Sequence, residues 1–89
     1  MVNNMRRAIN VKPMRNLLLL IQFDNGEKRI FNCFPLLKDR LFSGITDTVF
    51  FNTVHVDEMG VVCWDNSTDI NPFYLYDNSE PIANFAFEK

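Results

Sequence analysis

Histidine occurs once, at position 55, and cysteine twice, at Cys33 and Cys63. No C-x-x-C or H-x-x-x-H spacing exists, so the common structural zinc motifs are excluded and no metal is expected. Three glycines and four prolines exclude collagen-like and low-complexity character. The longest apolar run, Leu17–Ile21, falls far short of the roughly 20 residues that a membrane-spanning helix needs. The first residues, Met1-Val-Asn-Asn-Met-Arg-Arg7, turn polar at the third position and do not form a secretory signal. A soluble cytoplasmic protein with both thiols reduced is the expectation. Nor is there an excess of positive charge: the net value of −2 leaves no electrostatic footprint for nucleic acid.

What is present is globular. Hydrophobic residues make up 47% of the 89 positions and nine phenylalanines supply bulky core material, enough for one domain over 1–89. Its core is expected over 8–77, with a C-terminal tail over 78–89. Ala8–Lys12 alternates Ile9 and Val11 with Asn10 and Lys12 and reads as a strand, ended by Pro13-Met-Arg-Asn16. Leu17–Phe23 and Lys28–Cys33 are strands joined by Asp24-Asn-Gly-Glu27, because Asn and Gly accept the positive φ of a tight hairpin.

Two registers are open for this hairpin. A two-residue Asn25-Gly26 loop sets Ile21 against Ile30 and mixes charged with apolar residues on both faces. A type I turn followed by a bulge at Gly26 sets Leu20 against Ile30 and Leu19 against Phe31. The second collects Leu17, Leu19, Ile21, Phe23, Phe31 and Cys33 on one side, with Arg29 as an awkward charge. It is preferred. It strands Leu18, Leu20 and Ile30 on the more polar face, a patch that something must cover.

Pro35-Leu-Leu-Lys38 suggests a helical turn, Asp39–Gly44 a connection, and Thr46–Asn52 a short helix capped by Thr46. Thr53–Asp57 and Val61–Trp64 form a second hairpin, Asp65–Asp69 a polar loop, and Asn71-Pro72 opens a helix ending near Asp77. The expected class is α+β: a small antiparallel sheet of about five strands, in two hairpins, with two or three short helices.

Chemical candidates are few. His55 alternates with Val54 and Val56, which turns it outward if the valines face the core. Asp65-x-Ser67-x-Asp69 imitates the start of a calcium loop, but Ile70 and Tyr76 stand where Gly and Glu are required. A polar turn is the better reading. Asp57, Trp64, Asp69 and Tyr76 are the candidate ligand corner, in which Asp69 or a loop carbonyl would accept from the Trp64 indole. In the tail, Phe85 and Phe87 share a strand face. They are expected either to cover Leu18, Leu20 and Ile30 or to dock on a partner.

The ordered segments Phe23-Asp-Asn-Gly-Glu27, Arg29-Ile-Phe31, Pro35-Leu-Leu37, Phe50–Asp57, Gly60-Val-Val-Cys-Trp64 and Asp69–Tyr76 resemble a bacterial family, domain of unknown function 2442, over roughly Ile9 to Tyr76. Asn32, Ser67 and Phe73 depart from its usual residues. The resemblance implies a small α+β fold in a cytosolic bacterial protein. It also implies small partner proteins, as halves of two-gene modules of toxin–antitoxin character. The function expected is thus a non-catalytic interaction or regulatory module without cofactor, binding a small cognate protein or itself. The alternative is a small-molecule-binding domain or enzyme using the Asp57/Trp64/Asp69/Tyr76 corner.

Overall fold

In the computed structural model, residues 5–65 and 67–82 are described. The hairpin around Asn25-Gly26 takes the bulged register. The second and third strands, β2 (Leu18–Phe23) and β3 (Lys28–Asn32), pair Leu19 with Phe31 and Leu20 with Ile30. Gly26 has φ +91° and its N–H donates to the Phe23 carbonyl at 2.9 Å, while the Phe23 N–H donates to the Glu27 carbonyl, also at 2.9 Å. Burial selects this register, since Leu19, Ile21, Phe23, Phe31 and Cys33 all enter one core.

The first strand, β1 (Ala8–Met14), runs past the expected stop at Pro13. Pro13 is tolerated because β1 is an edge strand, where a missing N–H costs no ladder bond. It returns to β2 through a tight turn in which Asn16 and Leu17 both have positive φ, +62° and +63°, and the Leu18 N–H donates to the Arg15 carbonyl. Asn suits this mirror-image turn; Leu does not, and Leu17 is held there by its packing on the core.

Downstream, a 3-10 segment at Phe34–Lys38 carries Pro35 in its first turn, as expected. The stretch read as a connection is a second 3-10 segment, Arg40–Thr46, capped by Asp39. Helix α1 covers Thr48–Phe51, and its cap is Asp47, whose Oδ1 accepts from Val49 and Phe50, rather than Thr46. Thr46 instead donates to the Ser43 carbonyl. A second sheet orders β4 (His55–Val56), β5 (Val62–Asp65) and β6 (Thr68–Asp69), the last lying in the expected polar loop. Helix α2, Pro72–Asp77, starts as anticipated, with Asn71 Oδ1 accepting from Phe73 and Tyr74. Strand β7 (Ser79–Pro81) then joins β3, so the first sheet is ordered β1-β2-β3-β7.

The chain is therefore α+β, with antiparallel sheets of four and three strands and few short helices. The two short strands β6 and β7 raise the count above five. One core joins the inner faces of both sheets, with Val62 and Trp64 from β5 meeting Phe42, Ile45 and Phe51 from the helical segments. Among the described residues no helix is long and apolar enough to cross a membrane.

Candidate functional site

The structure disperses the proposed ligand corner. Alternation along β5 sends Val62 and Trp64 inward and Cys63 and Asp65 outward. Trp64 is buried. Its indole N–H donates to the Phe51 carbonyl at 3.0 Å, and its ring meets Phe42 edge-on. The partner is the carbonyl of the last residue of α1, neither Asp69 nor a loop carbonyl. Tyr76 is also elsewhere, with its ring edge-on to Phe23 at 5.1 Å between centroids.

Asp57 and Asp69 do share a surface, with His55, Cys63 and Asp65, around a hollow of about 330 Å³ on the outer face of the second sheet. His55 is exposed, as expected, with Nδ1 3.0 Å from the Thr53 carbonyl and Nε2 3.5 Å from Cys63 Sγ. Asp57 builds the β4–β5 turn: its Oδ1 accepts from the N–H groups of Met59 and Val61 at 2.8 and 3.0 Å. Asp65 Oδ1 accepts from the Ser67 N–H, which is the polar turn foreseen in place of a calcium loop. Burial, and then the charges of Asp57, Asp69 and Asp65, push the Cys63 thiol above its ordinary range. No group of three or more metal-ligating side chains among the described residues could hold an ion.

The awkward charge, Arg29, is resolved by the distant Ser79 and the nearby Glu27. Its Nε donates to Ser79 Oγ at 2.6 Å, one terminal nitrogen to the Ser79 carbonyl at 2.7 Å and the other to Glu27 at 2.9 Å. Tyr76 donates its hydroxyl proton to the same Glu27 oxygen at 2.7 Å. These bonds hold the Glu27 carboxyl below the usual carboxylate range, with the Tyr76 bond the largest cause.

Within the Leu18–Leu20–Ile30 patch, Leu20 pairs directly with Ile30 across β2 and β3. Leu20 is buried, while Leu18 and Ile30 are half-buried and line different cavities. Ile30 shares a cavity of about 370 Å³ with Pro81 and Ile82, residues of the segment expected to form the tail. Phe85 and Phe87 lie outside the described residues.

A groove that sequence reasoning missed runs between the Arg40–Thr46 segment and the start of α2. It measures about 800 Å³, and its walls include Leu36, Leu41, Phe42, Val61, Ile70, Pro72 and Tyr74. Leu41 is 63% and Tyr74 41% exposed, so two large side chains stand open at its rim. The signal was present in Leu41-Phe42-Ser-Gly-Ile45. At a 3-10 period Phe42 and Ile45 point the same way, into the core, and Leu41 is left outside.

A family model described as a protein of unknown function (DUF2442) matches residues 8–81. That span takes in β1 through β7. No curated protein and no solved structure matches the chain.

Proposed function

The chain belongs to the DUF2442 family of proteins of unknown function, and on that footing we propose that it is a non-catalytic protein-interaction module. The observation that carries this is the apolar groove with Leu41 and Tyr74 open at its rim. Single exposed apolar residues are ordinary on any surface; two beside a concave apolar wall form a recognition surface. Sheet-edge addition is disfavoured. Strand β1 carries a register irregularity between Ala8 and Asn10 and then Lys12 and Pro13, while β7 is three residues long and includes Pro81. These features blunt both edges of the four-stranded sheet, the edge strands β4 and β6 of the other are only two residues long, and the groove is the better docking place.

The His55–Cys63 pair does not favour an enzymatic reading. Nucleophilic catalysis needs a thiolate, and the surroundings of Cys63 stabilise the neutral thiol. On the family resemblance, the finer reading is a regulatory, antitoxin-like half of a bacterial two-gene module, acting in the cytoplasm on a small cognate protein. The test is affinity purification of the tagged chain from its own cells, beside the Leu41→Glu variant, with mass spectrometry. One small protein should be recovered at equal stoichiometry and lost with the variant, and its expression alone should inhibit growth. Recovery of the chain alone overturns the reading.

A further inference from the structure

The groove does not end in neutral surface. Asp69, on its wall, also lines the hollow that holds Asp57 and Asp65, so apolar and acidic surfaces are continuous through one residue. Asp39 adds a further carboxylate to the groove. Among the described residues the ion pairs are Arg6–Asp24 at 3.5 Å and Arg29–Glu27 at 2.9 Å, and none of these four carboxylates takes part in them. Asp39, Asp57 and Asp65 each engage Oδ1 with backbone amides, while the Arg7 guanidinium reaches the same turn as Asp57 through the Met59 carbonyl at 3.4 Å.

We propose that groove and hollow together dock a short segment of a partner protein in which apolar side chains stand next to Lys or Arg. The apolar side chains would seat against Leu41, Val61 and Tyr74, and the cation would lie over Asp57, Asp65 and Asp69. This rests on the interaction-module reading and specifies its partner. An acidic or uncharged segment would leave the carboxylates facing no cation or a like charge, which sets specificity more than affinity. The groove supplies the buried contact, and the hollow supplies direction and association rate.

The test is selection of displayed random peptides of about twelve residues against the full chain. Enriched peptides should share an apolar stretch next to Lys or Arg. As synthetic peptides they should bind Leu41→Glu roughly tenfold or more weakly than wild type. The exposed Asp65→Asn/Asp69→Asn pair should weaken them about three- to tenfold, with a shallower salt dependence. Both variants are checked for folding by circular dichroism. Enrichment of acidic or uncharged peptides, or binding unmoved by both variants, overturns this partner chemistry and leaves the interaction module standing. No enrichment overturns the proposal, and together with recovery of the chain alone it overturns the module as well. A wild-type chain that is dimeric by light scattering, and monomeric as Leu41→Glu, makes a second copy the occupant and also overturns it.

Discussion

The guanidinium carbon of Arg29 lies 4.2 Å from the ring centroid of Tyr76, and both side chains bond the same oxygen of Glu27. A strand, a turn and the last helix are thereby tied together beneath Phe23. Arg29→Met keeps the stem but removes two bonds to Ser79, the ion pair with Glu27 and the cation over the ring. It should cost about 2–3 kcal/mol in urea unfolding. Arg29→Lys should recover less than half, because an ammonium cannot reproduce the planar fork. Equal stability of Met and wild type would show that the network contributes nothing net.

Glu27 gives this network a pH signature. Its carboxyl is held below the ordinary value of 4.5, so the folded state favours the ionised form. The stabilisation is complete above the unfolded value and is lost as pH falls through the folded one. Denaturation midpoints from about pH 6 down to about pH 3 should therefore fall more for wild type than for Glu27→Gln. Parallel curves would contradict this.

Two glycines with the same backbone requirement should respond differently to alanine. Gly26 has φ +91° and open space where an alanine methyl would sit, so Gly26→Ala should cost about 1 kcal/mol through backbone strain alone. Gly60 has φ +83°, and a Cβ there would sit 2.7 Å from Arg7 Cβ and 3.3 Å from Arg7 Cα. Gly60→Ala should cost more, about 2–3 kcal/mol, by displacing the strand entry that bonds the Ala8 N–H to the Gly60 carbonyl. Thermal unfolding of the two variants reads the difference.

At the β1–β2 turn, Asn16→Val should destabilise by about 1–2 kcal/mol, since a β-branched side chain is poorly accommodated at φ +62°. Asn16→Gly should stay within about 0.5 kcal/mol of wild type. Equal losses would show that the Asn side chain itself, and not its conformational tolerance, is required.

Burial pushes the Cys33 thiol up to about 12, and burial followed by the nearby carboxylates raises Cys63. Both should resist iodoacetamide in the native protein, Cys33 more than Cys63, which lines the surface hollow. Cys33 also makes stability fall as pH rises from the unfolded thiol value of 9.0 toward the folded one. Alkylation of Cys33 at native rates equal to those in urea would show that its core position opens freely.

Features set by neighbours in the chain were legible in advance. The bulged hairpin follows from Asn25-Gly26 and from which register hides Leu19, Ile21 and Phe31. The start of α2 follows from Asn71-Pro72, because caps and prolines act over one turn. The separation of Trp64 from Asp57 and Asp69 was also within reach, since alternation along Val62–Asp65 already places Trp64 opposite Cys63 and Asp65. The remaining features needed tertiary structure, because their partners lie far along the chain. Arg29 becomes acceptable on the core side only when Ser79 and Tyr76 arrive to take its donors and its charge. Pro13 fits a strand only because that strand ends at the sheet edge. Leu41 and Tyr74 are ordinary apolar residues in the sequence; packing of Phe42 and Ile70 into the core brings them to one groove. Sequence thus determined the turns, caps and inward faces, where local sterics and burial decide, and tertiary structure decided which unsatisfied charges and exposed side chains meet.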